Sequence, residues 1–185
     1  MFGKKITLLL LLTAVLLSAT GCGYRNPYTA PDGSDLPTSG IYIKMWENRT
    51  SELGFESMIR QSLTDWLIQS KHLKMRATAA EADYELSGTI LSVSYLGTSY
   101  DLHDQATTLK AVLHLSFTLK EAKTGKVIWD VTDILKESAF AVADDAVFTR
   151  SNKQKVLETM ANEAAEDIYL RIFYTLTQKN NPKAK

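Results

Sequence analysis

The chain has 185 residues, 21 basic and 21 acidic side chains, a formal net charge of zero and a single cysteine. That balance excludes the basic footprint of a nucleic-acid binder. One thiol excludes an internal disulfide framework, so stability has to come from packing.

The first element in the chain is an address. Lys4 and Lys5 precede a mainly apolar run over residues 6–17, and small residues follow ahead of Cys22; these are the parts of a secretory signal. Twelve residues are too few to span a bilayer, which takes about 20. Residues 16–22 resemble the lipobox of bacterial lipoproteins, with Ala19 where leucine is usual and Gly21 directly before Cys22. The lipobox resemblance implies cleavage between Gly21 and Cys22 and acylation of Cys22 on its thiol and its new amino group. Gly23, rather than Asp, follows the cysteine, which implies an outer-membrane destination. Several acyl chains make a durable anchor where one holds only marginally. Removing residues 1–21 leaves 164 residues, with 19 basic and 21 acidic side chains, the size of one ordinary domain.

Residues 22–40 contain Pro27, Pro31 and Pro37 with Gly23, Gly33 and Gly40, and no periodic apolar face; this predicts a flexible tether. Residues 41–47 are dense in β-formers, with Ile41, Ile43 and Met45 on one face, and predict the first strand. Residues 48–51 read as a turn in which Thr50 or Ser51 caps the next element. Phe55, Ile59, Leu63, Trp66 and Leu67 recur at helical spacing and predict an amphipathic helix over residues 54–70. A short edge piece is expected at residues 73–77, then a long strand from Tyr84 to about Tyr95. Its inward positions change parity, from Tyr84, Leu86 and Ile90 to Leu91, Val93 and Tyr95, which predicts a bulge or twist near residues 88–91 or burial of both faces. In the next strand Leu109, Ala111, Leu113, Leu115, Phe117 and Leu119 alternate with mostly polar residues, the pattern of an antiparallel sheet covered on one side. Gly125 makes a hairpin turn and residues 127–138 return as the fourth strand. Ser151 and Gln154 have capping-box spacing, and Leu157, Met160, Ala161, Ala164, Ile168, Ile172 and Leu176 form the stripe of a last helix. Two amphipathic helices and one apolar sheet face predict an α+β two-layer sandwich over residues 41–178: a mixed or antiparallel sheet of about four strands with both helices on one face, in the order β-α-β-β-β-α. Residues 179–185 read as a frayed tail.

Groups able to converge for catalysis are few. His72, His103 and His114 fall on separate elements, and Asp101, His103 and Asp104 read as solvated loop residues rather than metal ligands. Thr124-Gly125-Lys126 fails as a phosphate loop, because Lys120 stands where a glycine is needed and Val127 where Ser or Thr is needed. No serine sits in a G-x-S-x-G elbow. Asn48-Arg49-Thr50 has glycosylation spacing but is better read as a strand-to-helix turn. Trp66 belongs to the helix stripe, whereas Trp46 and Trp129, near strand ends, are balanced between core and interaction surface. The pattern favours a binding or structural role with no cofactor and no enzymatic chemistry.

Taken in order, Gly21 to Arg25, Ile41-Tyr42-Ile43, Glu47-Asn48-Arg49-Thr50, Gly54, Glu56, Ala82-Asp83, Leu86-Ser87-Gly88, Tyr100-Asp101 and residues 124–129 resemble the lipopolysaccharide-assembly lipoprotein family, LptE, of Gram-negative outer membranes. The resemblance implies a lipid-anchored protein on the periplasmic side of the outer membrane. There it would sit in the lumen of a large β-barrel, LptD, help it assemble, plug it and assist delivery of lipopolysaccharide to the outer leaflet. Some members of that family are proposed to touch lipopolysaccharide through basic residues in the loop after the second strand and ahead of the last helix. Here those places hold Asp101, His103 and Asp104, and Asp144-Asp145, which would repel anionic phosphates. Arg49, Lys110, Lys123 and Lys126, with Arg150, are the basic residues left as candidates for lipopolysaccharide or partner contacts. The alternative is a periplasmic regulatory or scaffolding lipoprotein that activates a peptidoglycan synthase or trans-envelope complex. A lipid-anchored hydrolase would require a convergent site that the sequence does not offer.

Overall fold

The computed structural model describes residues 38–180, with side chains to residue 177; the signal segment, Cys22, most of the tether and the last five residues lie outside the described residues. Six strands make one mixed sheet: β1 (Ser39–Ile43), β2 (Glu47–Asn48), β3 (Leu73–Met75), β4 (Tyr84–Tyr100), β5 (Ala106–Glu121) and β6 (Val127–Ala141). The helices are α1 (Phe55–Gln69) and α2 (Ala146–Asn180), with a 3-10 turn at Ala79–Glu81. Across the sheet the order is β3-β1-β4-β5-β6, with β2 also on β4, so β3 and β6 are its edges. The β1, β2 and β3 pairings are parallel, whereas β4, β5 and β6 form an antiparallel meander. The expected α+β class and element order hold; two short strands raise the count from about four.

The single strand expected over residues 41–47 is broken. Ile43 stands opposite Leu86 and Glu47 opposite Thr89, so four steps on the first chain segment meet three on β4. The extra residue swaps the facing beyond it. Trp46 turns into the core at 3% exposure, while Met45, which plain alternation would bury, is 61% exposed. The Trp46 ring lies across Gly88, where an added Cβ would stand 2.5 Å from ring carbons. Its indole N–H has no hydrogen-bond partner among the described residues, so apolar packing alone seats the ring.

The switch of parity in β4 is a bulge, with the register against β5 shifting between Ile90 and Ser92. Leu86 and Ile90 face the core before it, and Leu91, Val93 and Tyr95 are the less exposed set after it. The strand runs on to Tyr100, five residues past its expected end. β5 keeps its expected phase: Ala111, Leu113, Leu115, Phe117 and Leu119 are all buried, and Val112 on the opposite face is buried too. Gly125, at φ 69, turns the chain into β6.

α1 begins behind Gly54, which sits in the left-handed region at φ 83 and supplies no side-chain cap. The cap is therefore neither Thr50 nor Ser51, contrary to the expectation for the turn at residues 48–51. α2 starts at Ala146, ahead of the expected Ser151 cap, because the Asp145 carboxylate accepts the Val147 N–H at 2.6 Å. The first turns of α2 carry Val147 and Phe148, which lie off the buried stripe, so hydrophobic spacing could not reveal them. The two helices cover the apolar sheet face together. Ala161, Ala164 and Ala165 are fully buried, Trp66 stacks on Tyr169 at 5.5 Å, and the Tyr169 hydroxyl donates to the Ser70 Oγ at 3.0 Å.

Gly88→Ala should lower stability by about 1–3 kcal/mol through overpacking against Trp46. Chemical denaturation of the mature domain reads the effect. Gly88→Ala combined with Trp46→Leu should recover part of the loss.

Candidate functional site

Asn48 organises the turn between β2 and α1 by using all of its hydrogen-bonding capacity. Its Oδ1 accepts from the Thr50 N–H at 3.0 Å and the Thr50 hydroxyl at 2.7 Å, and its Nδ2 donates to the Glu52 carbonyl at 2.8 Å and to Glu56 Oε2 at 2.7 Å. Thr50 in turn accepts from the Glu52 N–H at 3.1 Å. This is what Asn48-Arg49-Thr50 does: it ties a strand end to the first turn of α1.

Glu52 extends that turn across the sheet. Its Oε1 accepts from the Tyr95 hydroxyl at 2.9 Å and from Lys153 Nζ at 2.8 Å, and Lys153 also lies 5.1 Å over the Tyr95 ring. Burial pushes the Tyr95 phenol well above its ordinary value, and the hydrogen bond to Glu52 adds to the shift. A second knot joins β6 to α2. Burial pushes the Asp167 carboxyl up, but the Arg171 hydrogen bond and the charges of Lys136 and Arg171 outweigh it, and its pKa lies below the ordinary carboxylate value. Lys136 Nζ stands 3.3 Å from Asp167, and the Arg171 guanidinium lies 5.9 Å over Trp129.

The sheet face without helices carries cross-strand polar pairs, with Leu96 and Leu135 half-exposed among them. Lys110 bonds Glu137 at 3.0 Å, His114 bonds Asp133 at 2.9 Å and Thr118 donates to Asp130 at 2.6 Å. Beside them stand Ser92, Ser94 and Ser116, in register between β4 and β5.

The basic residues singled out in the sequence are dispersed. Arg49 lies in the turn after β2 and pairs with Glu47 at 2.9 Å. Lys110 is on the polar sheet face, while Lys123 and Lys126 are exposed in the β5–β6 hairpin. From Lys110 to Lys120 alone β5 covers about 34 Å at ~3.4 Å per residue, so Lys110 and the hairpin lysines do not share a patch. Arg150 is on the second turn of α2.

The loop cluster weighed as a metal set is spent on the backbone. Asp101 Oδ1 accepts the N–H groups of His103 at 2.8 Å and Gln105 at 2.9 Å, and these bonds hold its pKa below the ordinary value. Among the described residues no group of three or more His, Cys, Asp or Glu side chains is placed to hold a metal ion. An open groove of about 440 Å³ runs between α1 and α2, lined by Ser57, Met58, Gln61, Ser62, Glu158 and Ala161; its lining offers no histidine to activate either serine. Trp46 is core, whereas Trp66 and Trp129 are half-buried, Trp129 edge-on to Phe117 at 5.6 Å. Asn48 and Glu52 were the residues whose roles the sequence hid, since a turn asparagine and an acid before a helix carry no distinguishing pattern.

Comparison with known proteins agrees with this outline. The sequence model of the lipopolysaccharide-assembly family LptE matches residues 38–172, well over half of the chain. No curated protein matches the sequence. Among solved structures, a candidate lipoprotein of Caulobacter crescentus is 18% identical with a TM-score of 0.54, over 74% of this chain and 89% of its own. Lipoprotein B of Nitrosomonas europaea is 15% identical with a TM-score of 0.54, over 82% and 95%. The rare lipoprotein B of Shewanella oneidensis is 10% identical with a TM-score of 0.54, over 77% and 99%. At such identities the likeness is one of fold.

Asn48→Asp keeps the acceptor but loses both amide donors and sets a carboxylate against Glu56. It should destabilise the domain by about 1–3 kcal/mol, read by thermal unfolding, with Glu56→Gln relieving part of the loss. Because the folded pKa of Asp167 is depressed, its contribution is complete above the unfolded value of about 3.9 and fades as pH falls through the lower folded value. Asp167→Asn should therefore cost stability at neutral pH, and its deficit against the wild type should shrink below about pH 4 in denaturant titrations.

Proposed function

The chain belongs to the lipopolysaccharide-assembly family LptE, and from that membership we propose that it is a non-enzymatic, lipid-anchored plug and assembly partner of a lipopolysaccharide-translocating β-barrel in the outer membrane. The observation that carries the reading is the span of the match, residues 38–172, which takes in every strand, α1 and most of α2. In this reading the acyl chains on Cys22 hold the protein to the periplasmic side of the membrane and the tether that follows gives it reach. The folded domain then occupies the barrel and supports insertion of lipopolysaccharide into the outer leaflet.

Two physical features support this arrangement. Large outer-membrane barrels have polar interiors, and the helix-free face of the sheet presents hydroxyls and paired charges, with Leu96 and Leu135 half-exposed among them. Such a face can lie against a polar wall, exchanging water-mediated contacts for direct ones at little cost. Among the described residues no helix is long and apolar enough to cross a membrane, so attachment in this reading falls to the Cys22 lipid and to the partner. Arg49, Lys110 and, together in the hairpin, Lys123 and Lys126 remain candidates for partner or lipopolysaccharide contacts at three separate places.

A carboxy-terminally tagged full-length chain, purified from membranes in mild detergent, should bring down one large β-barrel protein in near-equal amount. Cys22→Ala should abolish fatty-acid incorporation and accumulate unprocessed precursor. Recovery of the acylated wild type without any barrel would defeat the reading.

A further inference from the structure

The end of the sheet opposite the β5–β6 hairpin carries apolar side chains that the fold does not use. Tyr100 pairs with Ala106, and the Val142 N–H donates to the Thr107 carbonyl at 2.9 Å, so the loop after β4 and the segment before α2 lie side by side. At this end Leu102 is fully exposed and Val147 and Phe148 are 68% and 64% exposed, whereas Tyr100 folds back so that its hydroxyl donates to the Gly97 carbonyl at 3.3 Å. Asp145 already starts α2 through its hydrogen bond to the Val147 N–H, so neither Val147 nor Phe148 is needed to begin the helix.

The same end is acidic. Within residues 100–105 and 142–150, Asp101, Asp104, Asp144 and Asp145 stand against one arginine, Arg150, and no lysine. Asp101 closes its loop and Asp145 caps α2, whereas Asp104 and Asp144 make no such bond. A phosphate-bearing glycolipid would meet like charge here. A protein surface with cations around an apolar depression would meet opposite charge and bury Leu102 and Phe148, the apolar centre and charged rim typical of interfaces.

We propose that residues 100–105 together with residues 142–148 form the docking surface for a protein partner that presents lysine or arginine around an apolar depression. The identity of that partner as the barrel rests on the functional reading above; the chemistry of the surface does not.

The test places a photo-crosslinking amino acid at Leu102 or at Phe148 in the full acylated chain within cells, with Ser116, on the sheet face that the functional reading also sets against the barrel, as the position whose yield charge reversal at the tip should leave unchanged. After irradiation, tagged complexes are probed for the co-purifying barrel and for lipopolysaccharide. Crosslinks from both tip positions to the barrel are expected, with a yield about tenfold lower when Asp104→Lys and Asp144→Lys are combined. Crosslinks to lipopolysaccharide, no crosslink at all, or a yield indifferent to the charge reversal would each overturn the proposal while leaving the barrel partnership intact. Absence of any barrel from the unmodified complex would instead sink the functional reading, and the assignment of this end to the barrel with it.

Discussion

The row Ala111, Leu113, Leu115, Phe117 and Leu119 on β5 has almost no contact with solvent, and the rest of the molecule is arranged to keep it so. A strand in the middle of an antiparallel meander can hide one face only if something is laid over it. β4 has 17 residues, about 56 Å of strand, and α2 has 35 residues, about 52 Å of helix. One helix of that length can run beside the meander for most of its extent. α1 fills the remaining width over the parallel part of the sheet, and alanines where the helices meet let them approach closely.

With the core fixed in this way, polar groups decide how the ends are held. Asn48 and Glu52 tie the strand-to-helix turn to β4 and to α2, and Asp167 ties α2 to β6. None of these knots is placed for chemistry on a substrate; each joins two elements that the apolar core alone would leave free to slide. What remains for outside contact is a polar sheet face, an acidic and apolar tip, and a hairpin with exposed lysines. A family defined by lipopolysaccharide assembly fits a molecule whose outward surfaces differ so sharply in character.

Much of this could be read from residue order. Alternation in β5 gave its facing without ambiguity, and the change of parity between Ile90 and Leu91 marked where a bulge, a twist or burial of both faces was expected; the register shift between Ile90 and Ser92 makes it a bulge. Regular period fails where the chain departs from it by one residue. The slip between Ile43 and Glu47 put Trp46 inside and Met45 outside, and nothing in the local sequence marks the extra residue, while the room for the Trp46 ring comes from the distant Gly88. The start of α2 was hidden for a different reason: its first turns face away from the core, so periodic burial is silent and only the Asp145 cap speaks. Site residues were harder still. Basic side chains can be counted in a sequence, but whether they converge depends on strand lengths and pairings, and here Lys110 and the hairpin lysines are held far apart.

The position of β6 at the border of the sheet has a consequence for the domain on its own. Its far side presents the outward-pointing backbone donors and acceptors of a 15-residue strand with no neighbouring strand among the described residues, a template onto which another copy could add itself. The strand is a poor template for that purpose. Its register against β5 breaks between Leu115 and Phe117 and again between Leu119 and Lys120, which twists the border out of plane. Asp130, Asp133, Lys136 and Glu137 along it would bring charge into contact in a stacked pair of copies. An isolated copy of the domain is thereby guarded against pairing along this border, by irregularity and charge rather than by a covering element.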